Sequence, residues 1–401
     1  MLNLKLPRRR FAALAALLGI ASIIVFSLGA CSKQVKEPQQ LNLVPYRKGK
    51  KWGFSDVNKK LVIQPKYEST EPFSDGLARV QLTPYRFGFV DTKGNEVIPF
   101  KYFQRDTEPF SEGLADVQLN NKWGYIDKSG RVVIPLKWSE AFPFSEGLAE
   151  VCISDSHSKK CGYIDKGGRE VISLKYTQTK PFSDGLAAVE LNGKWGFIDK
   201  NGRGVTPIKY DAAQSFSEGL AVVKLNNKLG YIDKSGKQAI PFDKYTSVFS
   251  FSGGLAKVTR TKITRLGPNS IQTEPEDSGY IDRNGKEVIP IGKYNYVRSF
   301  SEGLAGVNLN GKLGYIDTSG KEVIPFGKYE SGSGESGDEN FSEGLVFVRL
   351  NNKWGYIDKN GNVVIPFKYD KAYPFSNGLG MVELNGEIGY IGRDGTEYFE
   401  P

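Results

Sequence analysis

A glycine preceded by an aromatic residue, or by a substitute for one, recurs ten times along this chain, at positions 53, 88, 124, 162, 196, 230, 279, 314, 355 and 389. A second landmark, Phe-Ser-x-Gly-Leu, begins at Phe73, Phe110, Phe144, Phe182, Phe216, Phe251, Phe300, Phe341 and Phe375. A unit of this size cannot bury its own apolar residues. Stacking on its neighbours can, so the chain is committed to a repeat architecture with a core shared between units.

One regular unit spans residues 110–138, FSEGLADVQLNNKWGYIDKSGRVVIPLKW. From Leu114 to Leu119, Ala115, Val117 and Leu119 alternate with Asp116 and Gln118, which is the period of a strand. Asn120-Asn121 suits a two-residue turn at positive φ. Folding there pairs Leu119 with Lys122, Gln118 with Trp123 and Val117 with Gly124. Asp127-Lys128-Ser129-Gly130 fits a type I turn with a glycine bulge, pairing Ile126 with Val132, Tyr125 with Val133 and Gly124 with Ile134. Gly124 then leaves room for a neighbouring unit to approach, and Pro135 ends the third strand because it cannot donate to a ladder. Each unit is thus expected to be a three-stranded antiparallel meander.

The combined FSEGLA…KWGYID..G..VIP.KY pattern over residues 41–401 resembles the WG-repeat family of bacterial proteins. Trp occupies the signature site at Trp52, Trp123, Trp195 and Trp354, while Phe87, Cys161, Leu229, Ser278, Leu313 and Ile388 replace it elsewhere. The resemblance implies a β-rich protein and little chemistry. The expected fold is all-β, a tandem array of about ten three-stranded antiparallel meanders, open and superhelical or propeller-like. Ten blades exceed the usual four to eight of a closed propeller. The first unit begins with a degenerate strand, Leu41-Asn42-Leu43-Val44, and the last ends with its own third strand, Thr396 to Phe399. Nothing is left over to close a ring, which favours the open array.

The N-terminus reads as an address. Arg8-Arg9-Arg10 precede an uncharged, mostly apolar run from Phe11 to Ala30, the order of an export signal. The run ends in Leu28-Gly29-Ala30-Cys31, which resembles the lipobox of bacterial lipoproteins. The resemblance implies a diacylglycerol on the Cys31 sulfur, cleavage before Cys31 and acylation of the new amino terminus. Residues 1–30 are then a lipoprotein signal peptide, 31–40 a polar tether and 41–401 the repeat domain. The expected location is the cell envelope, lipid-anchored outside the cytoplasm, and the outer membrane if the cell is Gram-negative, because Ser32 rather than Asp follows the cysteine. An uncleaved apolar anchor spanning the bilayer is the alternative.

Charge narrows the partners. The formal net charge is +9, but residues 1–50 hold nine Lys/Arg and one acid, so the remainder of the chain is nearly balanced. A nucleic-acid binder needs a basic stripe to release counterions from phosphates; none is visible, and no nucleic-acid partner is expected.

Departures from the repeat mark loops and one covalent link. The hairpin around Thr259 to Asp277 is longer by 14 residues than its counterpart after Val117, and residues 330–340 form a Gly/Ser/acidic insertion. Cys152 and Cys161 align with the cross-strand partners Gln118 and Trp123. Four extra residues keep the facing, with Ser156-His157 as the turn. Counting outward puts the cysteines at a non-hydrogen-bonded pair, about 4.5 Å between Cα atoms, and export favours oxidation. A Cys152–Cys161 disulfide is expected.

Enzyme chemistry has little to work with. His157, the one histidine, sits at a turn tip, and Asp127-type carboxylates recur as turn-capping residues. No enzymatic activity, catalytic residue, metal or cofactor is expected. The function expected is a membrane-anchored, non-enzymatic scaffold that binds protein or peptide partners. The alternative is a glycan or peptidoglycan binder that stacks sugars on its aromatic ladder.

Overall fold

The computed structural model describes residues 43–400 except 84–85, 104–109, 157, 262, 268–269, 274–276 and 331–338. The signal, Cys31, the tether, His157 and most of the 330–340 insertion therefore lie outside the described residues. Among the described residues no helix is long and apolar enough to cross a membrane.

Ten small antiparallel sheets follow one another, one per signature glycine, and are numbered here as blades 1 to 10. In blade 3 the strands are Leu114–Leu119, Lys122–Asp127 and Val132–Trp138. The first hairpin has the expected register, with Val117 opposite Gly124 and Gln118 opposite Trp123. Asn120 and Asn121 take φ of 52° and 60°, the left-handed values a two-residue hairpin requires.

The third strand departs from expectation. It does not end at Pro135 but runs through it to Trp138. Tyr125 pairs with Ile134 rather than Val133, and the next pair is Trp123 with Trp138. The proline lies in the irregular stretch between these pairs, where a ladder donor is not needed. Gly124 consequently has no ladder partner on the third strand. A Cβ there would lie 2.6 Å from the Ile134 carbonyl oxygen and 2.8 Å from the Leu136 Cα. The glycine makes room for the third strand of its own blade, not for a neighbouring unit.

Several units also hold a strand outside the expected meander. In blades 2, 4, 5, 6, 7 and 8 a two-residue strand, such as Glu140–Ala141, pairs with the far edge of the first long strand. Two residues are too few to carry a periodic signal, so these strands are not legible in the sequence.

The array is closed. Phe399–Glu400 leaves blade 10 and pairs in parallel with Val44–Lys48 of blade 1, Arg47 opposite Phe399 and Lys48 opposite Glu400. Around this seam the Tyr46 hydroxyl donates to Glu400 at 2.5 Å. Arg47 donates to the Ile388 carbonyl at 2.8 Å and pairs with Glu387. Trp52 meets Tyr390 edge-on at 5.6 Å. The expectation of an open superhelix is therefore replaced by a ten-bladed β-propeller. The tail assigned to blade 10 as its own third strand supplies the closing strand of blade 1.

The core lies between blades. The aromatic residue after each of the first nine signature glycines packs on the Phe of the next Phe-Ser-x-Gly-Leu turn, as Tyr125 does on Phe144 at 5.0 Å. The same pair recurs at 4.6–5.3 Å from Phe54–Phe73 to Tyr356–Phe375. Tyr125 also donates to the Phe142 carbonyl at 2.7 Å, so its phenol is satisfied inside the joint.

Candidate functional site

Most repeated polar residues are used up in holding the ring. Asp127 Oδ1 accepts from the Ser129 and Arg131 amides, capping its own turn. Asp165, Asp199, Asp233, Asp282, Asp317 and Asp358 do the same. The Ser111 hydroxyl donates to Phe144 O of the next blade at 2.6 Å, and its counterparts repeat this through Ser342 and Phe375.

Between these turns runs a belt of carboxylates. Glu112 accepts from Gly147 N at 3.1 Å and pairs with Lys166 at 3.1 Å, both on the next blade. Glu146 with Lys200, Glu218 with Arg283 and Glu302 with Lys359 repeat the pair. Partial desolvation opposes ionisation of Glu112. The hydrogen bonds from Lys166 and the Gly147 amide outweigh it, leaving the carboxyl below its ordinary 4.5. Glu218 and Glu302 are lowered by the same balance. The recurring glutamate at this position is thus a joint between blades as well as a turn residue.

The aromatic ladder is buried. Trp123, Trp138, Trp195, Trp354 and Trp52 are 3–8% exposed. A sugar cannot stack on them without unpacking the core. Large aromatic side chains that do reach solvent include Phe103, Phe249 and Tyr296. Phe249 and Tyr296 flank the Lys257 ammonium, 5.0 and 4.4 Å from the two ring centres.

Cys152 and Cys161 face each other across the first hairpin of blade 4, joined by a disulfide, with Cα atoms 4.1 Å apart. Both are fully buried. The bond fills the site where other blades place a tryptophan against a polar residue. Among the described residues no group of three or more His, Cys, Asp or Glu converges on a point. The longer loop of blade 7 carries a second hairpin, Ile263–Gly267 paired with Ser270–Thr273.

Two features escaped the sequence reading. The first is a pair of facing positions whose content changes from blade to blade. The amide of the residue just after the short strand donates to the carbonyl of the residue two positions after the Leu of Phe-Ser-x-Gly-Leu. The pairs are Glu71/Arg79, Phe142/Glu150, Lys180/Ala188, Gln214/Val222, Phe249/Lys257 and Arg298/Gly306. Their signal was present as variation at a fixed offset from Gly-Leu-Ala, but its partner position is invisible without the short strands.

The second is a cleft of about 500 Å³ between blades 6 and 7, lined chiefly by Lys224, Lys228, Leu229, Asp243, Lys244, Tyr245 and Arg260. Asp243 holds Lys228 at 2.7 Å, Lys244 donates to the Gly285 carbonyl at 2.9 Å, and Arg260 reaches Glu287 at 3.3 Å.

Closed sheets, repeated joints and a two-residue seam define a β-propeller built from a short sequence repeat. The chain belongs to the family described as WG containing repeat. The family model matches at residues 52–83, 87–123, 123–155, 162–195, 195–228, 230–260, 279–312, 314–354 and 354–387. No curated protein matches the sequence. Among solved structures, one titled as the crystal structure of the eukaryotic initiation factor is similar at 13% identity and a TM-score of 0.51. It covers 82% of this chain and 96% of its own. Apo AztD from Citrobacter koseri overlaps at 12% identity, 78% and 90% coverage and a TM-score of 0.34. Hsv2p from Kluyveromyces lactis overlaps at 12%, 62% and 90%, and 0.34. At such identities the likeness concerns the fold alone.

Proposed function

We propose that this protein is a lipid-anchored, non-enzymatic scaffold of the bacterial cell envelope, tethered through Cys31, whose propeller binds a protein or peptide partner. The supporting observation is the division of labour within the repeat. Fixed residues close the joints, while the position just after the short strand, held by Glu71, Phe142, Lys180, Gln214, Phe249 and Arg298, changes charge and bulk from blade to blade in six of the blades. A repeat scaffold that recognises an extended partner needs this separation of frame from reading surface. The exposed Phe249 and Tyr296 around Lys257 give that surface aromatic anchors beside a cation, and aromatic residues are enriched at protein interfaces. The burial of the tryptophans supports this reading over the glycan alternative, which needs exposed rings.

A photo-crosslinking residue placed at Phe249 in the native envelope should yield protein adducts that the same residue at Val132, exposed on a third strand, does not. Recovery of glycan fragments and no protein from position 249 overturns the reading. Metabolic labelling with palmitate tests the anchor separately: label should enter the wild type and be absent from Cys31→Ser.

A further inference from the structure

Four departures from the repeat converge on the cleft between blades 6 and 7. Leu229 stands at the signature Trp site and pairs with Lys224 across the hairpin. Lys224 stands where blades 2, 3, 5 and 10 carry Gln81, Gln118, Glu190 and Glu383. Arg260 replaces a residue that is Leu or Ile in blades 2–6 and 8–10, for example Leu119, Ile153 and Leu309. Asp243 adopts φ of 70°, at a site where the sister blades 7 and 8 place Gly292 and Gly327 at 87° and 78°. Aspartate tolerates that region, so the chain keeps its path here while a carboxylate is added to the cleft.

We propose that this cleft binds a phosphate-bearing small molecule, with Lys224, Lys244 and Arg260 around the phosphate and the organic body against Leu229 and Tyr245. The lining carries four cations and one carboxylate, and that carboxylate is engaged by Lys228. Arg260 reaches Glu287 at 3.3 Å on the exposed rim, so two positive charges, those of Lys224 and Lys244, remain over. Asp211, which accepts from Asn227 N beside the cleft, is held by Lys194, so it does not neutralise them. Lys224 has no ion-pair partner among the described residues. A phosphomonoester brings close to two negative charges and three strong acceptor oxygens, which matches this surplus better than a lone carboxylate. The volume of about 500 Å³ is that of a small-molecule pocket and exceeds what bare phosphate fills. The guanidinium of Arg260 lies 5.7 Å from the Tyr245 ring centre, which pre-orients its planar fork. The assignment stands apart from the partner-binding reading, since neither needs the other.

The test is calorimetric titration of the full-length protein with glucose 6-phosphate, inorganic phosphate and glucose. Glucose 6-phosphate should bind, inorganic phosphate more weakly, and glucose not at all. Arg260→Leu installs the residue of the other blades, and Lys224→Gln that of blades 2 and 3. Each should weaken glucose 6-phosphate binding by about tenfold or more, the effect of one lost charge-assisted hydrogen bond, with unchanged melting. Vesicles of phosphatidylcholine with phosphatidylglycerol should retain the wild type and Arg260→Leu equally. No binding of glucose 6-phosphate at millimolar concentration, or equal binding by both variants, overturns the proposal. So does vesicle retention that depends on Arg260 while glucose 6-phosphate gives no heat, which would assign the cleft to a lipid headgroup.

Discussion

Gly124 shows how one missing side chain fixes the path of a strand. The Ile134 carbonyl and Leu136 backbone lie within 3 Å of where its Cβ would stand, and backbone cannot swing aside as a side chain can. Gly124→Ala should cost about 2 kcal/mol or more, read as a lower denaturant midpoint. Gly113→Ala meets no atom within 4 Å, so its cost should come from its φ of 89° alone. Cys152 and Cys161 fill their blade by a covalent bond. The bond closes a loop with a sequence separation of 9. Replacing both by Ser should therefore cost about 2–3 kcal/mol by chain entropy, measured by urea unfolding. These residue-scale features were differently legible. The cysteine pairing followed from hairpin register and two-residue facing. The role of Gly124 did not, because the alternation of residues 131–134 gives no sign that Pro135 sits in an irregular stretch.

At the scale of elements, the joints between blades carry the structure, and their carboxylate belt has a consistent gap pattern. Where the turn lacks an acid, the next blade lacks the cation. Gly253 precedes Thr318, and Asn377 precedes Val57. Gly253→Glu with Thr318→Lys should therefore restore a pair. The double variant should be more stable than the sum of the single changes by up to about 1 kcal/mol, the range of an exposed ion pair. A double-mutant cycle in urea measures it. The belt also sets the response to acid. Glu112, Glu218 and Glu302 have folded values below the ordinary 4.5. Their contribution is complete above that value and is lost as pH falls through the lowered ones. The melting temperature should hold steady near neutrality and fall below about pH 4.5, and more gently in Glu112→Gln. The belt was latent in the sequence: the Glu of Phe-Ser-Glu-Gly and the Lys of Asp-Lys-x-Gly were both visible. Their partnership runs between different units about 54 positions apart, as Glu112 and Lys166 do, and no pattern within one unit could link them.

At the scale of the molecule, ten units form a ring because the last two-residue strand crosses to the first blade. The repeat count, the all-β character and the shared core follow from period and alternation alone. Closure does not, because Phe399–Glu400 is too short to carry a period and Thr396 to Phe399 mimics the ordinary third strand. The closing residues are exposed at their tips: the Lys48 and Glu400 side chains are 62% and 52% accessible while their backbones are paired. Substituting both is thus a local change at the seam. The most direct measurement of the closed ring is oxidation of the Lys48→Cys/Glu400→Cys variant, followed by non-reducing peptide mapping of the monomer. Closure predicts a disulfide between positions 48 and 400 within one chain. Free thiols at both positions in the folded monomer, or links formed only between chains, would contradict it.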